Sequence, residues 1–330
     1  MPTHLSRLRW ALLACSATAL MFSSAAVAAN KTGASLRVVD SAGKTLAEHY
    51  QYTGKTRVKT SPKADCFGDG TEGSGKRYRL SEPSATGLLS HGSQYQSKLR
   101  PLQLTDAFFP DFGLGVCAIG GRSEPDGFWY LKRNHVGATV AGDLLPVKGR
   151  DEILWYLIED FSEPTPAELT IKADNTVVKG APIEVRAFEY DDVGKKRPAE
   201  GVRFKGTGVQ TGADGRAEVP AQGASTRLKG TRDDAIPSNR LEICQVQHLS
   251  QCPDDHTLDV RGTDQRDRIK LPKGGPAVVN AYGGRDKVDI RRVLESGPPI
   301  IKCGTGKDVV VARKGQRFTA AGSCEKVSRG

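Results

Sequence analysis

Between Gly262 and Val311 the chain repeats a nine-residue pattern with an aspartate at the sixth place and an aliphatic residue at the eighth. Gly262 to Lys270 supplies Asp267 and Ile269, Ala281 to Asp289 supplies Asp286 and Val288, and Cys303 to Val311 supplies Asp308 and Val310. Pro272 to Asn280 keeps Val279 but has Ala277 at the aspartate place. A short fixed period of this kind constrains the fold to a solenoid, because each repeat buries its apolar residue only against the next one. Two nonapeptides complete one coil. Asp267 and Asp286 are therefore expected above one another, and Asp308 continues the ladder if the insertion 290–302 replaces a half-coil.

The pattern resembles a degenerate RTX-type repeat of hemolysin-like calcium-binding proteins over about residues 258–311. The resemblance implies a short β-roll in which Asp267, Asp286 and Asp308 are metal ligands and Ca2+ is the cofactor. Charge argues the other way. From Ile236 to Gly330 there are 17 Lys and Arg against 11 Asp and Glu, whereas stacked calcium sites concentrate carboxylates. Arg266, Arg285 and Lys307 directly precede the three aspartates and are expected to pair with neighbouring acids. The favoured expectation is a roll with no cofactor, closed at its end by a disulfide.

The first 28 residues have the form of a signal peptide: Arg7 and Arg9, an apolar stretch from Trp10 to Phe22, then small residues up to Ala28. Cleavage is expected after Ala28. Leu12-Leu13-Ala14-Cys15 loosely fits a lipobox, but it leaves too short an apolar core. Removal of two arginines takes the formal charge from +10 to +8. No later apolar run approaches the roughly 20 residues of a membrane span. In an oxidising compartment the six remaining cysteines suggest disulfides, and their spacing groups them as Cys66 with Cys117, Cys244 with Cys252, and Cys303 with Cys324. Zinc is disfavoured, since no C-x-x-C occurs and only His248 lies near two cysteines.

Leu36 to Val39 and Tyr50 to Val58 read as strands around the turn Asp40 to Gly43, and Lys76 to Leu80 as a further short strand. Ser81-Glu82-Pro83 has the form of a helix start, with one amphipathic helix over 84–99 that Gly87 and Gly92 weaken. Gly127 to Lys132 and Ile153 to Leu157 are aromatic strands separated by a turn-rich stretch. With Asn134, Gly137, Gly142-Asp143, Asp151-Glu152 and Trp155-Tyr156, residues 35–160 resemble the transcobalamin C-terminal-like domain of unknown function. The resemblance implies a small α+β fold over 29–162. In transcobalamins the region helps cover a corrinoid; the strand residues alone do not carry that ligand here.

Trp129, Tyr130, Trp155 and Tyr156 are the candidate ligand-binding residues, as a platform for a glycan, a peptide or a hydrophobic ligand. The competing expectation, which is favoured, has alternate members in the core. Asp151 and Glu152 do not form an acid/base pair, because neighbours on a strand point to opposite faces; they are expected to be solvated.

Phe161 to Pro166 has linker composition. Beyond it, strands at Glu168–Ile171, Ile183–Phe188 and Gly201–Phe204 alternate at period two, and Thr211 to Val219 follows with a Thr-Gly-Ala-Asp-Gly turn. The block resembles bacterial immunoglobulin-like and carboxypeptidase-regulatory-like domains, and the resemblance implies an Ig-like β-sandwich over 163–234, ahead of the roll at 235–330. The fold class is thus mainly β and multidomain.

No H-E-x-x-H, G-x-S-x-G or phosphate-cradling G-x-x-x-x-G-K-[ST] occurs, so catalysis is not expected. Lysines and arginines look scattered and no nucleic-acid motif is present, so no specific nucleic-acid partner is expected. The expectation is a secreted or cell-surface protein, monomeric and without a transmembrane segment in the mature chain. It acts by binding or display, with a cell-wall polymer, glycan or peptide as partner. The alternative is a calcium-dependent extracellular scaffold.

Overall fold

The computed structural model describes residues 31–329 apart from 65, 67, 125–126, 161, 175, 179, 223–224, 247–257, 272–276, 294–298 and 322–323. The signal peptide and Cys252 lie outside the described residues, and so does the Cys244–Cys252 pairing. The chain is mainly β, with 28 strands against one α-helix and one 3-10 turn among the described residues.

In the first unit, β1 (Thr32–Val39) and β2 (Thr45–Thr53) form an antiparallel hairpin, and β3 (Thr56–Lys59) and β4 (Arg77–Leu80) form a separate two-stranded ribbon. Helix α1 (Ala85–Tyr95) starts where Ser84 accepts the Gly87 N–H at 3.2 Å, and a 3-10 turn, Ser97–Leu99, follows it. The glycine at 92 has a reason in packing. A Cβ there would meet Leu36 Cδ2 at 2.8 Å, so glycine lets the helix lie close on the sheet. A second ribbon, β5 (Leu102–Thr105) with β6 (Gly115–Ile119), precedes β7 (Phe128–Arg133), β8 (Val136–Gly137) and β9 (Glu152–Ile158). Leu36, Val38, Leu88, Leu89, Leu99, Ile119 and Ile153 form the centre of this core, and Cys66–Cys117 ties the connection between β3 and β4 to β6.

The second unit is two packed sheets. Its strands are β10 (Ala167–Lys172), β11 (Thr176–Val178), β12 (Ile183–Tyr190), β13 (Lys196–Pro198), β14 (Arg203–Phe204), β15 (Arg216–Val219), β16 (Ser225–Thr231), β17 (Ala235–Ile236) and β18 (Arg240–Val246). One sheet runs β13-β12-β10-β17 with β15 also on β12, and the other β11-β18-β16-β14. Leu169, Ile171, Val185, Phe204, Leu228 and Ile243 are buried between them. The sandwich continues to Val246, past residue 234, because β18 pairs antiparallel with β16 over five residues.

The C-terminal unit coils. Its strands are β19 (Leu258–Arg261), β20 (Arg268–Lys270), β21 (Ala277–Asn280), β22 (Gly283–Gly284), β23 (Lys287–Asp289), β24 (Ile300–Lys302), β25 (Thr305–Gly306), β26 (Val309–Ala312), β27 (Thr319–Ala321) and β28 (Lys326–Arg329). They stack in parallel as three ladders: β19-β21-β24-β27, β20-β23-β26-β28 and β22-β25. The aliphatic places of the nonapeptide, Ile269, Val279, Val288 and Val310, are each fully buried inside. Glycine is required at the third corner, since a Cβ on Gly306, at φ +130°, would meet the Gly284 carbonyl oxygen at 1.5 Å. Cys303–Cys324 bridges the last two coils.

The coil is built onto the first unit rather than strung behind it. β19 pairs in parallel with β2, so one nine-stranded sheet runs β27-β24-β21-β19-β2-β1-β9-β7-β8. Tyr52 enters the coil core, its hydroxyl accepts the Lys270 N–H at 3.2 Å, and Tyr95 of α1 stacks on Tyr282 at 3.8 Å. The sandwich covers the opposite face of the first sheet. There Arg37 pairs with Glu168 and donates to the carbonyls of Leu169 and Pro237.

Candidate functional site

The coil stacks Asp267, Asp286 and Asp308 as consecutive rungs, exposed by only 0, 1 and 1%. Their carboxylates are turned along the ladder. Asp286 Oδ1 accepts the Asp267 N–H at 2.7 Å, Asp308 Oδ1 accepts the Asp286 N–H at 2.7 Å, and Glu325 Oε2 accepts the Asp308 N–H at 2.5 Å. At the other end Asp267 accepts the Thr263 N–H at 2.7 Å and pairs with Lys31 Nζ at 2.7 Å. Arg266, Arg285 and Lys307 are exposed. They do not partner the aspartates as expected, because adjacent residues alternate between the inside and outside of the coil. Lys31, from the far end of the chain, takes that role. Burial raises the pKa of all three aspartates; for Asp286 the flanking Asp267 and Asp308 add to it, reaching about 7 against the opposing pull of the Asp267 N–H. Among the described residues no group of three or more His, Cys, Asp or Glu is arranged to hold a metal ion.

The four aromatics do not form a platform. Trp129 and Trp155 are 5 and 2% exposed, on the core face with Leu131 and Leu157. Tyr130 and Tyr156 pair across the other face of the sheet and are half-buried, with Tyr156 packed against Val39, Leu154 and Ile236. Period-two alternation separates the pairs, and the sandwich covers the tyrosine face. Asp151 also departs from the sequence expectation. It is buried, accepting the Asn134 Nδ2–H at 2.9 Å and the Lys148 N–H at 2.8 Å, so it holds the turn at Asn134 and His135.

What the sequence did not reveal is a basic cleft. In the β3/β4 ribbon Val58 and Tyr78 face the core, which turns Arg57, Lys59, Arg77 and Arg79 outward. The register sets Arg57 opposite Arg79 and Lys59 opposite Arg77. Directly opposed like charges destabilise a strand pair, and among the described residues none of the four has an ion pair. Beside the ribbon lies a cleft of about 710 Å³ lined by Arg57, Lys59, Arg100, Ser90, Ser93 and a floor of Val58, Pro101, Leu102 and Leu104. Among the described residues no carboxylate lines it. Arg100 enters through the chain that follows the 3-10 turn, and Ser90 and Ser93 sit on the last turns of α1. Such a site offers cations and hydroxyl groups over an apolar floor, which suits an anion whose charge is spread over several oxygens. The sequence signal was the alternation Arg57-Val58-Lys59 and Arg77-Tyr78-Arg79; the pairing that gathers them is a property of the fold.

An apolar patch lies near the same end of the unit, with Phe109, Phe112 and Leu144 exposed. Phe109 packs on Tyr78, whose hydroxyl donates to Asp106 at 2.6 Å.

Comparison with protein families, with curated proteins and with solved structures finds no match for this chain. The resemblances to transcobalamin-like, Ig-like and RTX segments rest on the residues quoted for them.

Proposed function

We propose that this is an exported binding protein that holds an anionic ligand in the cleft between the β3/β4 ribbon and α1, and that it acts by binding and display rather than by catalysis. Export is supported by the leader-like first 28 residues and by two disulfides, which persist in oxidising compartments. Among the described residues no helix is long and apolar enough to cross a membrane. The two like-charge pairs of the ribbon, Arg57 with Arg79 and Lys59 with Arg77, carry the assignment. Folding gains nothing from them, and an anion relieves them. A phosphate- or sulfate-bearing cell-wall polymer or acidic glycan has the required chemistry. The calcium-dependent scaffold is the weaker alternative, since one oxygen of each ladder carboxylate already serves a backbone amide.

Calorimetric titration with tripolyphosphate at low salt tests the proposal. The wild-type chain should bind, and Arg57→Gln with Arg79→Gln should weaken binding by roughly tenfold or more, at about 1.4 kcal/mol for each factor of ten. The same double variant should fold at least as stably as the wild type, because it removes a repulsive pair. Equal binding by the two proteins, or none by the wild type, refutes the assignment.

A further inference from the structure

A second cleft, of about 540 Å³, lies where the first unit meets the sandwich. Its lining includes Lys98, Arg227, Lys229, Arg240 and Arg261, with Glu48 the one acid among its lining residues. Three of these cations meet acids. Glu242 is shared by Arg227 at 3.3 Å and Arg240 at 3.2 Å, and Glu48 meets Lys229 at 3.3 Å. Polar groups suited to oxygen-rich ligands, Thr45, Thr231 and Gln96, line the same walls.

The two clefts meet at one turn. Lys98 lines the second cleft and Arg100 the first. Two residues apart, they stand no more than about 7 Å from one another along the backbone. Both are exposed, and among the described residues neither side chain has an ion pair. From the ribbon cations through Arg100 and Lys98 to Arg227 and Arg240, positive charge continues over the edge of the 3-10 turn.

Building on the anion-binding role proposed above, we infer that the ligand is a linear polyanion long enough to cross the Ser97–Leu99 turn and lie in both clefts at once. The linings indicate its backbone chemistry. Neither cleft has an aromatic side chain among its lining residues, whereas single-stranded nucleic acids are held by stacking bases on aromatic rings. Cations and hydroxyls without rings fit a base-free chain of phosphate or sulfate groups. Two linked subsites turn the second contact into an intramolecular one, which raises affinity without any new type of contact.

The test compares tripolyphosphate with long-chain linear polyphosphate, each titrated at several salt concentrations, on the full mature chain and on two variants. Lys98→Glu stands at the junction, and Arg227→Glu stands in the second cleft. The long chain should bind on the order of a hundredfold more tightly than tripolyphosphate, with a steeper fall in affinity as salt rises. Each variant should remove most of that gain while weakening tripolyphosphate binding far less. If the long chain binds no better than tripolyphosphate while Arg57→Gln with Arg79→Gln still weakens both, the first cleft is the whole site; the inference fails and the anion-binding role stands. Failure of the wild type to bind either probe sinks that role itself. Single-stranded DNA binding more tightly than polyphosphate of equal charge overturns the base-free chemistry. Uptake on phosphatidylglycerol vesicles that Phe112→Ser abolishes, without polyphosphate binding, would assign the basic face to a membrane surface instead.

Discussion

Replacing Asp286 by asparagine should flatten the loss of stability that the aspartate ladder imposes as pH rises. Asp286 is almost wholly buried, with Oδ1 accepting the Asp267 N–H and Oδ2 unpartnered. Burial first, and the flanking carboxylates of Asp267 and Asp308 next, push its pKa up to about 7 from 3.8. Its folded value lies above its unfolded one, so the folded chain holds more protons between the two. Stability therefore falls as pH rises through that window, and above about 7 the full loss is present. At about 1.4 kcal/mol per pH unit the window is worth about 4 kcal/mol, of which roughly 3 kcal/mol falls between about pH 5 and pH 8.5.

Asparagine keeps an acceptor for the Asp267 N–H and carries no charge at either pH. His91 acts in the opposite direction. Burial and the nearby Lys31 lower its pKa to about 4, so its contribution is present above its ordinary pKa and is lost as pH falls toward about 4. That effect is common to both proteins and cancels when they are compared. Urea unfolding at the two pH values should show Asp286→Asn losing about 3 kcal/mol less than the wild type on going to the higher pH, or roughly 5–10 °C less in melting temperature. Parallel losses in the two proteins would refute the reasoning.

Three further outcomes follow from the geometry. Glu168→Ala removes the partner shared by Arg37 and His135 in the buried contact between sandwich and sheet; it should cost about 3–5 kcal/mol in urea unfolding, and a loss below about 1 kcal/mol would contradict the role given to that contact. Millimolar calcium or a chelator should leave the melting temperature unmoved, because backbone amides and Lys31 already engage the ladder carboxylates; a rise of several degrees with calcium would show that the metal competes successfully for them. Cys303→Ser with Cys324→Ser releases a loop of 21 residues' separation and should lower stability by about 3 kcal/mol, while an unchanged transition under reductant would argue that the bridge adds nothing.

Much of the fold was legible because its signals are local. Period two placed β10, β12 and β14, and the nonapeptide placed Ile269, Val288 and Val310 inside a coil. The parallel junction of β19 with β2 was not legible, since it joins residues some 210 positions apart through backbone hydrogen bonds that any sequence can make. Lys31 reached Asp267 for the same reason unannounced: its partner depends on which edge the coil is added to. In the aromatic strands, alternation alone left two faces open, and only the sandwich lying over Tyr130 and Tyr156 decides between platform and core. The basic cleft shows the limit most clearly. Arg57, Lys59 and Arg100, which line it, look scattered along the chain, and the ribbon and one turn after α1 bring them together, with Arg79 and Arg77 across the ribbon from the first two.

The most direct test of the central claim is a crystal structure of the protein grown with tripolyphosphate. The account predicts phosphate oxygens against Arg57, Lys59 and Arg100, with the hydroxyl of Ser90 or Ser93 donating to one of them. Phosphate bound elsewhere while this cleft holds only water would contradict it.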